Sequence, residues 1–315
     1  MNNSTEIVSF ILAAYHDIGD IKYFYFSIVT LLYFTIIFAN VLLIAVIFVD
    51  RSLHEPLYLF LSNLSVNELY GSTALFPSLL VHIVSDTHEV SKAYCAVQIF
   101  CLYTYGSVEY CNLAIMSFDR YVSICYPLQY NNIMTHTRVY LLIVVSWLYS
   151  FIKFTITLSL SLSLQLCGNV IHKVYCDNYL LVKLSCSDTT VNNIYGLYGT
   201  MLSVAVPLIP ISYSYAKILN ICLKSSKETQ QKALHTCTPH LASLLNFSVG
   251  CMFEIVQSRF NMAHVPSVVR TILSVYFLMC TPLFNPIVYG VRMTKIRKAC
   301  KKILYPQRFS KLFSV

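Results

Sequence analysis

Apolar residues along the chain gather into seven long segments that are separated by short polar stretches. Each segment can cross about 30 Å of hydrocarbon as a helix that rises about 1.5 Å per residue. We therefore predict an all-α membrane protein, a seven-transmembrane helix bundle, with helices near residues 23–49, 57–84, 94–126, 138–161, 193–222, 233–259 and 268–291. Residues 1–22 form an extracellular N-terminus, and residues 292–315 a short amphipathic eighth helix and a cytoplasmic tail.

Composition and charge distribution support a membrane protein. Hydrophobic residues make up 57% of the 315 residues and charged residues only 11%, whereas soluble domains carry roughly a quarter charged residues. Of the 22 lysines and arginines, 15 fall on one side of the predicted bundle, 6 on the other, and Lys153 within the fourth helix. The positive-inside rule places the larger set in the cytoplasm. The basic residues behind the net charge of +8 are therefore explained by their placement on the cytoplasmic side of a membrane. Nucleic acid is not an expected partner.

Both chain ends agree with this topology. Overlapping glycosylation sequons begin at Asn2 and Asn3, which fits an extracellular N-terminus of a multi-pass plasma-membrane protein. Eight of the basic residues lie beyond position 291. Since seven crossings put the C-terminus opposite the N-terminus, this basic tail lies inside.

Four cysteines share the predicted extracellular side. Cys167, Cys176 and Cys186 lie in the polar segment between the fourth and fifth helices, and Cys95 begins the third helix. Four cysteines permit three pairings, and the residues alone leave all three open. The pairing that we favour joins Cys95 to Cys176 and Cys167 to Cys186.

Charged residues inside apolar segments are the candidates for function, because a membrane charge is costly unless it is neutralised or reaches water. Asp119 and Arg120 end the third helix, which indicates a switch at the cytoplasmic edge. Glu68 and Glu109 lie within the second and third helices. Glu109 precedes Asp119 by nearly three helical turns, so we expect it to face the bundle core.

Several segments together carry a family resemblance. They are LHEPLYLFLSNLSVNE (53–68), MSFDRYVSICYPLQY (116–130), KALHTCTPHL (232–241) and PLFNPIVYGVRMTKIR (282–297). With these motifs in this order, the chain resembles the odorant receptors of the rhodopsin-class G-protein-coupled receptors, and its extracellular loops resemble the branch shared with fish. The resemblance implies a receptor that binds a small-molecule odorant in the outer half of the bundle. It also implies activation of a stimulatory heterotrimeric G protein, which raises cyclic AMP.

The predicted odorant pocket lies between the third and sixth helices. The third helix turns one set of residues inward at positions i, i+1, i+4 and i+5, and the sixth helix offers three more, one turn apart; the set is Leu102, Tyr103, Gly106, Ser107, Cys251, Ile255 and Arg259. Arg259 has two interpretations. Its long side chain can reach the lipid headgroups, or its planar guanidinium can pair with a carboxylate on the odorant.

The resemblance also implies a G-protein switch and an ion site. The switch comprises Asp119, Arg120, Tyr121, Tyr213, Asn285, Pro286 and Tyr289. Arg120 pairs with Asp119 at rest and meets the Tyr213 hydroxyl after the sixth helix moves. Glu68, Glu109, Asn40 and Asn285 hold a sodium ion in one interpretation, and the two carboxyl groups share a proton in the other. Glu68 replaces the aspartate that is usual in the family, so cation coordination here is expected to differ.

Other classes of protein fit the sequence less well. The chain lacks the H-E-x-x-H and G-x-S-x-G motifs and a phosphate-binding glycine loop, so we expect no enzymatic activity and no cofactor beyond the sodium ion. Residues 268–291 contain no lysine for a retinal Schiff base. A rhodopsin-class receptor for another small ligand is the nearest alternative. A transporter or channel is the more distant one, because internal repeats are missing.

Overall fold

The computed structural model describes residues 7–15, 19–259 and 267–304. Within these residues the chain forms ten α-helices: α1 (Lys22–Val49), α2 (Pro56–Val84), α3 (Lys92–Cys125), α4 (Tyr130–Ile133), α5 (His136–Leu162), α6 (Asn178–Lys183), α7 (Thr190–Leu223), α8 (Lys227–Arg259), α9 (Ser267–Arg292) and α10 (Thr294–Leu304). Helices α1, α2, α3, α5, α7, α8 and α9 correspond to the seven predicted spans, and α10 to the predicted amphipathic helix. The sixth span begins earlier than predicted, at Lys227.

Side-chain caps start several of these helices. The Ser91 hydroxyl accepts a hydrogen bond from the Tyr94 amide at 3.2 Å before α3, and Thr135 accepts one from the Arg138 amide at 3.4 Å before α5. Such caps satisfy backbone N–H groups that lack a partner in the first turn. Pro56 opens α2, where its missing N–H removes no helical hydrogen bond.

The outer surface of the bundle is apolar. Leu31 and Phe34 on α1 and Ile194 and Ile209 on α7 are among its exposed large hydrophobic side chains. Among the described residues, length and composition alone mark four segments as able to cross a membrane: α1, α5, α7 and the Thr236–Arg259 part of α8. Helices α2 and α3 lie deeper in the bundle and carry buried polar side chains, which lowers their hydropathy.

Close packing of α2 against α3 depends on Gly71. A Cβ atom at this position would lie 2.5 Å from the ring of Tyr105, too close for any real contact. The Tyr105 ring is fully buried and meets the ring of Phe247 on α8 edge to face, at 6.2 Å between centroids. The small residue therefore lets an aromatic side chain fill the centre of the bundle.

A small sheet closes one end of the bundle, which we call the N-terminal face. Strand β1 (Ser9–Leu12) pairs antiparallel with β2 (Glu89–Ser91) and parallel with β3 (Val170–Ile171). The Tyr15 hydroxyl donates to the Val174 carbonyl at 2.7 Å. The sequence analysis did not predict these strands. Asn2 and Asn3, the predicted glycosylation positions, lie outside the described residues.

Two disulfides hold the α5–α7 connection over the bundle. Cys95 at the start of α3 is bonded to Cys176, and Cys167 is bonded to Cys186. This is the pairing that we favoured among the three. The first bond attaches the residues around Cys176 to the N-terminal end of α3, close to the α6 helix.

Candidate functional site

A cavity of about 180 Å³ opens between α3, α5, α7, α8 and α6. All seven residues that the sequence predicts for ligand binding line it: Leu102, Tyr103, Gly106, Ser107, Cys251, Ile255 and Arg259. A cavity of roughly 150 Å³ is large enough to hold one benzene molecule. The space therefore suits a small organic ligand.

Helical spacing brings these residues to one wall. On α8, Cys251, Ile255 and Arg259 follow one another at four-residue intervals and so share a face. The Arg259 guanidinium carbon lies 4.4 Å from the centroid of the Tyr179 ring on α6, a cation–π contact. In the part of the chain that the structure describes, Arg259 forms no salt bridge.

A buried ion network forms the wall of the cavity toward the N-terminal face. The Lys173 ammonium group contacts Asp177 at 3.2 Å and also binds Glu254 on α8. Tyr103 donates to Asp177 at 3.2 Å and Tyr175 to Glu254 at 2.8 Å. Burial lowers the pKa of Lys173, but the two carboxylates outweigh it and hold this pKa above the ordinary value of 10.5. The lysine therefore stays charged and neutralises part of the acidic pair.

This network was not predicted from the sequence. Glu254 sits directly before Ile255, so a carboxylate within an apolar segment was the available signal. Lys173 gave no such signal, because it belongs to a polar loop and lies 81 residues from Glu254 along the chain. Only the Cys95–Cys176 disulfide and the folding of the loop bring the two together.

Four buried polar atoms on the cavity wall have no hydrogen-bond partner among the described residues. They are the hydroxyl oxygen of Tyr110, Glu254 Oε2, Asn178 Oδ1 and Asn192 Nδ2, and all four residues line the cavity. Buried polar atoms are nearly always paired with protein or water. These atoms mark positions where a ligand or water can complete the hydrogen bonding.

Deeper in the bundle, two buried carboxyl groups converge on one amide. Asn285 Nδ2 donates to Glu68 Oε1 at 2.5 Å and to Glu109 Oε1 at 3.0 Å. The other oxygens accept from Tyr105, at 2.9 Å on Glu68, and from Asn67, at 2.9 Å on Glu109. Two carboxylates this close cannot both carry an uncompensated charge. The arrangement calls for a shared proton or a bound cation.

The amide of Asn40, also predicted for the ion site, donates to the carbonyls of Ile36 at 3.0 Å and Pro282 at 2.9 Å. Both N–H groups of the Asn40 amide therefore donate to backbone carbonyls, one on α1 and one on α9. Among the described residues, no group of three or more His, Cys, Asp or Glu could hold a metal ion. The two carboxyl groups and the amide oxygens of Asn67 and Asn40, which are unpaired in the described structure, are oxygen ligands available to a monovalent cation.

The predicted switch lies at the opposite end of α3. Arg120 Nε donates to Asp119 Oδ2 at 3.0 Å, and Tyr130 on α4 donates to Asp119 Oδ1 at 2.7 Å. Tyr213 is 55% exposed, and its ring packs against Tyr121 at 5.8 Å between centroids. The arginine is thus held by the neighbouring carboxylate; that this contact marks the resting state stays a prediction.

A histidine on α8 connects this switch region to two other helices. His240 Nδ1 is 2.5 Å from the Tyr215 hydroxyl on α7, and His240 Nε2 is 2.9 Å from the Leu113 carbonyl on α3. Ser243, one turn along α8, donates to Asn285 Oδ1 on α9, directly before Pro286. Hydrogen bonds therefore connect the carboxyl pair through Asn285 to Ser243 on α8, and His240 on the same helix connects α8 to Leu113 on α3. Tyr289 is buried on α9.

Comparisons with known sequences agree on one family, and a comparison with a solved structure shows the fold. A family model described as olfactory receptor matches residues 29–307. Olfactory receptor 11A1 from Homo sapiens is 32% identical over 305 residues, covering 95% of this chain and 94% of the relative. Olfactory receptor 5AP2 from Mus musculus is 33% identical over 307 residues, covering 96% and 95%. The crystal structure of squid rhodopsin matches with a TM-score of 0.73 at 18% identity, over 95% of this chain and 82% of that one.

Proposed function

The chain belongs to the olfactory receptor family, and on this premise we propose that it detects a small odorant and activates a heterotrimeric G protein of the stimulatory class. Membership makes it a multi-pass membrane receptor with a rhodopsin-like fold, and a signalling protein rather than an enzyme. The odorant occupies the cavity between α3, α5, α7 and α8. G-protein activation then raises cyclic AMP in the cell.

The cavity is the observation that carries the proposal. It lies in the half of the bundle nearer the N-terminal face and is walled by all seven predicted ligand positions. Its four unpaired polar atoms offer hydrogen bonds that the described protein residues leave unused. Two disulfides on the same face indicate an oxidising compartment, which supports an extracellular N-terminus.

Signal transfer is proposed to run from the cavity to the Asp119–Arg120 pair. Tyr103 and Ser107 line the cavity on α3, and Asp119 lies on the same helix about three turns beyond Ser107. A ligand that favours a different position of α8 would also shift His240, which hydrogen-bonds α3 near this point. Such a two-state element responds only to a ligand that binds the two states with different affinity.

The test is a cyclic AMP assay in cells that express the receptor together with a stimulatory Gα subunit. The panel contains short carboxylic acids, the alcohols and aldehydes of equal chain length, amines and amino acids. We expect at least one member to raise cyclic AMP in a saturable manner only when receptor and Gα are both present. Surface labelling of an N-terminal epitope on intact cells checks the topology. Saturable responses that do not require Gα would overturn the coupling.

Arg259 is proposed to contact the acidic group of an odorant at the outer wall. It lines the cavity and lacks a salt bridge within the described structure, so its charge is available to a ligand. A hydrogen bond to a charged group contributes about 1.5–3 kcal/mol, which corresponds to roughly a tenfold to hundredfold change in potency. Arg259→Ala should weaken responses to acids by this factor at unchanged surface expression, and Arg259→Lys by less. Equal potency of wild type and Arg259→Ala would assign the arginine to the lipid interface.

For the carboxyl pair we propose a shared proton or a sodium ion that stabilises the resting state. Glu68 and Glu109 supply the oxygens, and Asn285 orients both through its amide. A bound sodium ion supplies positive charge between the two carboxylates. Agonist potency of the wild type should then fall as sodium replaces a larger organic cation in the buffer, whereas Glu109→Gln should be insensitive. If agonist potency of the wild type does not depend on sodium, the two carboxyl groups share a proton instead.

A further inference from the structure

Lys153 is the least expected charge in the bundle. It lies in the middle of α5 and only 6% of its surface is exposed. Its ammonium nitrogen donates to Ser107 Oγ on α3 at 2.9 Å and to Ser203 Oγ on α7 at 2.5 Å. The sequence offered no role for it. Charged side chains within membrane helices are rare and usually belong to a functional site.

This lysine has no counter-charge within the described structure. None of the described carboxylates forms a salt bridge with it. Its ammonium nitrogen also lies over the faces of Phe154 and Tyr149, 4.5 and 4.8 Å from the ring centroids. An ammonium group has three N–H donors, and the two serines use only two of them. The positive charge of Lys153 is therefore unpaired among the described residues, and one of its three N–H groups is free to donate.

The unused charge lies directly behind the cavity wall. Ser107 and Ser203, the two acceptors of Lys153, both line the cavity, as does Phe154. Ser203 gives its own hydrogen to the Gly199 carbonyl at 2.7 Å. Ser150 donates to Ser107 Oγ at 2.9 Å, so Ser107 accepts hydrogen bonds from both Ser150 and Lys153. The Ser107 hydroxyl is then free to donate into the cavity while it accepts from the lysine.

The two ends of the cavity differ in the charges that surround them. Toward the N-terminal face, Lys173 binds both carboxylates, Asp177 and Glu254, and Arg259 adds a further positive charge that forms no salt bridge among the described residues. At Lys153 a single positive charge stands alone among serines and aromatic rings. A ligand oxygen on the Ser107 hydroxyl would lie about 5 Å from the ammonium nitrogen, as two successive hydrogen bonds allow. That position favours an anion.

We infer that Lys153, acting through Ser107, forms a second anion-binding position at the inner end of the cavity, so that the receptor prefers ligands with a carboxylate at each end. The inference rests on the proposed odorant site and names the chemical class that the site selects. A short dicarboxylic acid places one carboxylate near Arg259 and the other on Ser107. A monocarboxylic acid of the same length can place a carboxylate at only one of these two positions. The corresponding alcohol has no carboxylate for either position.

The test compares dicarboxylic acids, monocarboxylic acids and alcohols of equal chain length on wild type, Lys153→Met, Lys153→Arg and Ser107→Ala receptors. Wild type should respond to the dicarboxylate at roughly tenfold lower concentration than to the monocarboxylate, as one additional charged hydrogen bond provides. Lys153→Met should remove this difference and change the alcohol response by less than about threefold. Lys153→Arg should retain part of the preference, and Ser107→Ala should reduce it.

Two outcomes would overturn the inference. The first is a wild type that shows no preference for the dicarboxylate. The second is an equal loss of the response to all three ligand classes in Lys153→Met at normal surface expression, which would mean that the lysine only links the helices. Thermal stabilisation of the purified receptor by the same ligands separates this result from a failure of the proposed function. If the dicarboxylate stabilises wild type but not Lys153→Met while cyclic AMP never rises, the anion position stands and the coupling is wrong.

Discussion

Replacing Lys173 with methionine removes the ammonium group that neutralises Asp177 and Glu254 and keeps a side chain of similar length. The lysine side chain is 5% exposed and that of Glu254 12% exposed, so water cannot compensate for the loss. Removing one partner of a buried ion pair costs roughly 3–5 kcal/mol because the other charge remains buried and unpaired. We expect Lys173→Met to unfold at a temperature lower by roughly 5 °C or more.

The assay is a thermal melt of the detergent-solubilised or nanodisc-embedded receptor, with Lys183→Met as the control. Lys183 lies on the same loop in α6, but it is exposed and its ammonium contacts only the Tyr179 ring among the described residues. Its replacement should change stability by less than about 0.5 kcal/mol. Adding Glu254→Gln to Lys173→Met should recover part of the loss, because one of the two unpaired carboxylates is then gone. Identical melts for all four proteins would refute the buried network.

The pH dependence of this difference follows from the raised pKa of Lys173. A lysine whose folded-state pKa lies above the ordinary value of 10.5 stabilises the fold fully below that value. The stabilisation is lost as pH rises through the folded-state pKa. The difference between wild type and Lys173→Met should therefore stay constant between about pH 7 and 9, and it should narrow above about pH 10.5.

Three further predictions concern other parts of the bundle. Asp119→Asn removes the charge that holds Arg120 in the resting arrangement, so basal cyclic AMP should rise severalfold without ligand; an unchanged basal level at equal surface expression would contradict the switch. Gly71→Val places a side chain on the Tyr105 ring, which overpacks the core at about 1–3 kcal/mol, so the melting temperature should fall, whereas a melt equal to wild type would show that the ring can move. Cys176→Ser removes the disulfide to α3, which lowers the free energy of unfolding by roughly 2–5 kcal/mol. Surface expression should therefore drop sharply, and normal expression would show that the loop keeps its position without the disulfide.

Much of the fold is encoded locally. Long apolar segments predict helices because each must satisfy its backbone hydrogen bonds within the membrane. Spacing along α3 and α8 then predicts which residues face the same way, and the cavity wall includes Ser107 and Arg259 as that spacing indicates. Adjacent charges such as Asp119 and Arg120 were visible as a pair in the sequence itself.

What sequence reasoning missed depends on contacts between distant segments. Strand β1 is four residues long, and its partners β2 and β3 lie about 80 and 160 residues further along the chain. No local period reveals so short a strand. Lys153 was visible as an odd charge, but its meaning depends on Ser107 and Ser203 from two other helices, 46 and 50 residues away. Buried charges in membrane helices are thus easy to find in a sequence, and their partners are not.

The most direct measurement is nucleotide exchange by a purified stimulatory heterotrimer in the presence of the receptor in nanodiscs. Adding an odorant that is active in cells should accelerate exchange several-fold, and the same odorant should leave exchange unchanged with empty nanodiscs. Planar bilayers that contain the receptor alone should pass no odorant-evoked current. Odorant-evoked current without any acceleration of exchange would contradict the account and identify the bundle as a channel.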